Sequence, residues 1–283
     1  MEKWLLISNC QTEGLKNSLT LRSPGLQVEA LDIWSFLAST RSWSEEMPAY
    51  DRVVAATQVI QMRPDSFVHV GKLSKIPNFM FRAFHPDVCY VQAGDEPLFS
   101  PLHDYYSAIC AAAYKAGYSA QDTAALYNQD VYESLGFFSL WDAERDAITQ
   151  EYKAEGIDIR RPFLDWSRLP TPFMHVFNHP NISVIYDLAG AILNSLGVEC
   201  QTLNFLPPDN LANASIFPVY PEIAERYGYA GGAYRFKPHS TYTTLSLGEY
   251  VAGCFAYLSK HDRAAITSAS PQFAAAYELF SES

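Results

Sequence analysis

The chain has 283 residues, 48% of them hydrophobic and 14% aromatic, which is enough apolar material for a large core and too much for a disordered chain. Its net charge of -11 argues against general affinity for nucleic acid or anionic membrane, both of which need a positive surface field. The cysteines Cys10, Cys89, Cys110, Cys200 and Cys254 are odd in number and include no C-x-x-C pair, so neither a disulfide framework nor a metal site is expected. They suit a reducing cytoplasm. The apolar run at the start, Trp4 to Ile7, is shorter than a secretory h-region, and no window approaches the roughly 20 apolar residues of a membrane span.

In chain order, Trp4 to Ser8 reads as a buried parallel strand, followed by Asn9-Cys10-Gln11 and a helix through Leu21. Leu26 to Ile33 alternates as a half-exposed strand, Arg52 to Thr57 reads as a third, and Asn78 to Ala83 as a fourth that ends at His85-Pro86-Asp87. Three helices are expected next: one capped by Ser100 with Pro101 at its first position and closed by Gly117, one from Ser119, and one from about Phe138 to Glu155. The nine acidic residues between 121 and 158 read as a solvated helical face. Phe173 to Phe177 is a further strand, and Asn181 caps a helix whose Ile185, Leu188, Ala189, Ile192 and Leu193 share one buried face. Residues 201–245 read as long loops, and Ser246 with Glu249 forms a capping box.

Strands alternating with helices predict an α/β fold with a parallel sheet covered on both faces. A single domain over 1–283 is expected, with a helical insertion at about 100–160 and a loop-and-helix extension from about 201 to 283. Ligands in such folds bind beyond the carboxyl ends of the strands, which selects the loops around Cys10, His85 and His179. Cys10, after a buried strand and before a helix, suits a thiolate nucleophile, because helix N-termini stabilise anions; a free cysteine can equally be a small buried residue. Cysteine nucleophiles work with a histidine, and His179 and His85 both stand at strand ends, with Asp87 beside the second. Either could also be a structural histidine. Arg63, Lys72, Lys75 and Arg82 face a single acid, Asp65, in an otherwise acidic chain and suggest a local anion site such as one for cofactor phosphates. Gly228, Gly231 and Gly232 lack the preceding strand of a dinucleotide fingerprint.

Ile7-Ser-Asn-Cys-Gln11, Phe84-His-Pro-Asp-Val-Cys-Tyr90, Phe177-Asn-His-Pro-Asn181 and Gly231-Gly-Ala-Tyr-Arg-Phe-Lys237 together resemble the WcbI-like polysaccharide biosynthesis acetyltransferase family, over most of the chain. The resemblance implies a three-layer SGNH-hydrolase/flavodoxin-like architecture, binding of coenzyme A or acetyl-CoA, and transfer of an acyl group to a sugar or polysaccharide acceptor. In that comparison Cys10 takes the place of the nucleophilic serine and His179 that of the late histidine base. Asn9 and Gln11 would stabilise the oxyanion; His85, Asp87, Asn178 and Asn181 would line the substrate site; Lys237 would join the basic residues at the cofactor. An esterase or thioesterase, or a CoA- or saccharide-binding protein without chemistry, are the competing readings.

Overall fold

The computed structural model describes residues 1–282. Its organising element is β1 (Glu2–Ser8), in which Trp4, Leu5, Leu6 and Ile7 are all fully buried. A strand buried on both faces must pair on both edges, and β1 does, parallel to β2 (Leu26–Asp32) on one side and to β3 (Arg52–Ala56) on the other. β4 (Leu73–Ile76) completes a parallel four-stranded sheet in the order β2-β1-β3-β4. The protein is therefore α/β, as the alternation of elements predicts. Each of these four β1 side chains contributes about 1.5–3 kcal/mol on burial.

The crossovers are helical: α1 (Thr12–Arg22), α2 (Ile33–Ala38), α3 (Trp43–Glu46) and α4 (Thr57–Met62). Leu5, Ile7, Val53 and Ala55 form one apolar cluster with Ile33, Phe36, Trp43, Met47, Val59 and Phe67. α1 packs instead on the helix Ile182–Ser195, where Gly14 lets Ile185 approach: a Cβ at position 14 would stand 3.2 Å from Ile185 Cδ1. At the end of α1 the Arg22 guanidinium lies 4.4 Å over the Tyr186 ring and donates to the Tyr186 carbonyl.

The fourth strand lies earlier than the sequence suggests. Pro77, which cannot donate a ladder hydrogen bond, stops it, so Asn78 to Ala83 is irregular.

The chain sorts into two compact units. The first comprises Met1–Met80, Arg145–Leu169 and Asn178–Leu211, and holds the parallel sheet. The second comprises Phe81–Glu144, Pro170–Phe177 and the chain from Ala212 onward. Its core gathers the helices Ala108–Ala116 and Leu247–Leu258 with many aromatic rings, among them Phe236 and Tyr250, stacked at 4.0 Å. The helix expected from Ser100 begins at Ala108 under a Ser107 cap. Ser100 and His103 exchange backbone hydrogen bonds, and His103 is left-handed (φ 64), which no helix accommodates. Gly117, Ser119, Asn181 and the Ser246–Glu249 capping box end or start helices as their patterns predict.

The glycine-rich stretch is structural. Gly228, left-handed at φ 75, closes the helix Pro221–Tyr227, and a Cβ at Gly232 would lie 2.7 Å from both Pro221 Cα and Ala224 Cβ. Because backbone cannot move aside cheaply, Gly232→Ala should destabilise the protein by about 1–3 kcal/mol. Urea unfolding of the variant with an unchanged midpoint would contradict this close approach.

Candidate functional site

Cys10 stands on the turn between β1 and α1, and its side chain is exposed. The strand order reverses at this point, since β2 lies on one side of β1 while β3 and β4 lie on the other. The carboxyl edge between β1 and β3 is thus the topological switch point, where open α/β sheets generally bind ligands. The turn is fixed by its neighbour. Asn9 Oδ1 accepts from the Gln11 N–H at 2.9 Å, and the Asn9 carbonyl accepts from the Thr12 N–H at 3.1 Å and the Thr12 hydroxyl at 2.6 Å. Asn9 Nδ2 has no acceptor among the described residues, so it is a donor available beside Cys10.

Gln11 is buried, and its side-chain amide donates to the Phe79 carbonyl at 2.8 Å and to the Asn178 carbonyl at 3.0 Å. Both amide hydrogens are thereby engaged. Gln11 does not aim its amide at an oxyanion; it fastens the Cys10 turn to the segment that carries His179. His179 is 7% exposed and extended, directly before the helix that Asn181 caps. The Asn181 side chain is held in that cap, accepting from Val184 N at 3.3 Å and from the Ser183 hydroxyl at 2.7 Å. Asp209, which the sequence alone does not single out, accepts from Ile182 N at 2.9 Å in the same turn. Cys10, Asn9, Gln11, Asn178, His179, Asn181 and Asp209 all belong to the first unit.

The second cluster expected from the sequence is interior. His85 and Asp87 lie within the core of the second unit, at 2% and 0% exposure, and offer no surface to a substrate. Burial pushes the His85 imidazole down to about 3; a backbone group of Phe217 favours the charged ring slightly, yet neither nitrogen has a well-aligned hydrogen-bond partner. Burial also raises the Asp87 carboxyl to about 7, against the pull of its hydrogen bonds from the Tyr220 hydroxyl at 2.5 Å and Ile109 N at 2.9 Å. Asp87 thus anchors the start of the helix Ala108–Ala116 from inside.

The basic residues divide similarly. Lys237 is buried and its ammonium donates to the carbonyls of Ala214 at 2.8 Å and of Asn213 and Pro238 at 3.4 Å, so it holds a loop together and is not the exposed phosphate ligand expected from the sequence. Arg82 donates to the Val88 carbonyl and lies 4.0 Å over the Phe177 ring. Arg63 donates to the Leu37 carbonyl at 2.5 Å. The exposed Lys72 and Lys75 meet no carboxylate among the described residues, and of the two Lys75 is nearer the carboxyl end of β4.

A family model described as polysaccharide biosynthesis enzyme WcbI matches residues 3–201, the stretch that includes the sheet, Cys10 and His179. The chain belongs to the WcbI family of polysaccharide biosynthesis enzymes. No curated protein matches it. The fold is similar to a solved structure of WcbI, described as a novel polysaccharide biosynthesis enzyme in its native form, without a disulfide bond between coenzyme A and one of its cysteines. That likeness has a TM-score of 0.68 at 16% identity and covers 99% of this chain and 95% of the other, so the shared fold extends beyond the part matched by the family model. Among the described residues no helix is long and apolar enough to cross a membrane, and no group of three or more His, Cys, Asp or Glu is placed to hold a metal.

Two outcomes check this geometry. Gln11→Ala removes both tethering hydrogen bonds and should cost about 1–3 kcal/mol in chemical denaturation; a cost near zero would mean that the tether is not formed in solution. Asp87 has a folded pKa of about 7 against an ordinary value of 3.8, so its favourable contribution is full below about pH 4 and is lost as pH rises towards 7. The melting temperature of wild type should therefore fall relative to Asp87→Asn between about pH 4 and 7, a comparison in which the opposite trend from His85 cancels. A difference independent of pH would contradict it.

Proposed function

We propose that the protein is a coenzyme A-dependent acyltransferase, an O-acetyltransferase that uses acetyl-CoA to modify a hydroxyl of a sugar or polysaccharide precursor. The observation that carries this reading is the Gln11 tether, which joins the turn of an exposed thiol to the residue preceding His179. The family's role in polysaccharide biosynthesis supports a saccharide acceptor, and the coenzyme A named for the similar WcbI structure supports the donor. The strand order and the helical crossovers favour a three-layer, flavodoxin-like or SGNH-like arrangement. We place the reaction in the cytoplasm, where free thiols stay reduced.

In the mechanism, Cys10 is the nucleophile. The amino end of α1 favours its thiolate, and the sulfur attacks the thioester carbonyl to form a Cys10 thioester. The coenzyme A thiolate that leaves takes the proton His179 had removed from Cys10. The sugar hydroxyl then attacks the Cys10 thioester, His179 accepts its proton, and Cys10 departs as thiolate, which the proton on His179 restores to thiol. The Asn9 amide, oriented by its bond to Gln11 N, serves the oxyanion. Lys75 and Lys72 are the groups on the sheet unit best suited to meet phosphates.

Calorimetric titration should show saturable binding of coenzyme A and acetyl-CoA and weaker binding of ATP. Cys10→Ser and His179→Ala should each lower acetyl transfer by about 100-fold or more. Absence of coenzyme A binding at about millimolar ligand would overturn the reading, and ester hydrolysis that needs no acceptor sugar would replace it with an esterase.

A further inference from the structure

In the second unit the chain from Tyr90 to Phe99 folds back on itself as a hairpin. Gly94, left-handed at φ 60, turns the chain, and Ala93 pairs with Glu96 and Gln92 with Pro97. The Leu98 N–H donates to the Val91 carbonyl at 2.8 Å, which continues the same register by one pair. Val91 and Leu98 point inward, at 2% and 4% exposure. Side chains alternate along a strand, so the adjoining Tyr90 and Phe99 point outward, and they are 46% and 48% exposed. Gln92 and Pro97, two residues along each arm, share that outer face and are exposed as well.

A third ring joins them, since the centroids of Phe99 and His103 are 4.8 Å apart. The turn between the two is fixed. Ser100 and His103 exchange backbone hydrogen bonds, and the Ser100 hydroxyl donates to the Tyr105 carbonyl at 2.6 Å and accepts from Leu102 N at 2.9 Å. His103 takes φ 64 in this turn, a left-handed conformation that glycine holds at lower cost, yet its side chain is 65% exposed and fills no core. A costly backbone conformation that presents a ring to solvent points to a contact made with a ligand. Tyr90 is held in place too, with its ring 5.8 Å from that of Tyr105 and 6.0 Å from that of Phe177.

We propose that Tyr90, Phe99 and His103 form a shelf that binds a chain of neutral sugars, with the Gln92 amide as a partner for its hydroxyls; the proposal rests on the saccharide acceptor of the transferase reading. Sugar rings have apolar C–H faces and polar rims, and exposed aromatic rings beside an amide match both. The local charge selects a neutral chain, because Val88 to Ser107 holds no Lys or Arg while Asp95, Glu96 and Asp104 are present. The same acids disfavour an anionic membrane or a nucleic acid. A second copy of the protein suits the shelf less. Two half-exposed rings and an imidazole offer on the order of a few hundred Å², against about 800 Å² per partner in a stable interface. Each ring alone holds a sugar weakly, and a shelf of three lets one chain make several contacts at once.

The test titrates the full-length protein with neutral linear hexasaccharides of glucose, mannose or galactose by ligand-detected NMR, and with coenzyme A by calorimetry. At least one hexasaccharide should bind wild type. Its dissociation constant should rise about tenfold or more when Tyr90→Ala and Phe99→Ala are combined, and about threefold or more in His103→Gly. Because glycine relieves the backbone at position 103, His103→Gly should melt at or above the wild-type temperature, which separates lost contact from lost fold. Coenzyme A should bind these variants as it binds wild type. No hexasaccharide binding by wild type, unchanged affinity in the combined variant, or loss of coenzyme A rather than sugar would each overturn the shelf. Wild type that binds a hexasaccharide through these rings but no coenzyme A would support the shelf and sink the transferase reading.

Discussion

The rest of the sheet unit depends on the double-sided burial of β1. Trp4, Leu5, Leu6 and Ile7 have no exposed face, so the strand has to be central, flanked by parallel neighbours and reached through helical crossovers. Its carboxyl end then falls beside the reversal in strand order. Whatever residue follows β1 is held on a rigid support at the carboxyl edge of the sheet, and in this chain that residue is part of Asn9-Cys10-Gln11. The position of the proposed nucleophile follows from an apolar requirement several residues away.

The Gln11 amide adds a second constraint to that support. Its carbonyl partners are 68 and 167 residues distant in sequence, and satisfying both fixes the Cys10 turn against the segment of His179. A buried amide left without acceptors costs more than the bond contributes when made, so the tether acts mainly by excluding other arrangements of the turn. Asn9 acts more locally, since one side-chain oxygen and one carbonyl set the turn while the amide nitrogen stays available. Together they leave the thiol exposed and its surroundings ordered.

What was legible in the sequence was local. The apolar run of β1, the periodic face of Ile182–Ser195 and the caps at Asn181, Ser119 and Ser246 all depend on neighbours within a few residues, and patterns of that range are written directly in the chain. Misreadings came where distant residues decide. His85-Pro86-Asp87 has the composition of a surface loop, yet Phe217 and Tyr220 cover it. Lys237 looks like a phosphate ligand until its three carbonyl partners are known. The displaced fourth strand is a local exception: Pro77 was visible, but the short, half-exposed Leu73–Ile76 carried a weak pattern.

Cys10 is the group proposed to carry the acyl chain, and the most direct measurement is mass spectrometry of acid-quenched protein after exposure to acetyl-CoA without acceptor. The mechanism predicts one acetyl group on the peptide containing Cys10, removed by neutral hydroxylamine, absent from Cys10→Ser, and slower to form in His179→Ala. Saturating acetyl-CoA that leaves Cys10 unmodified while transfer to a sugar still proceeds would contradict it.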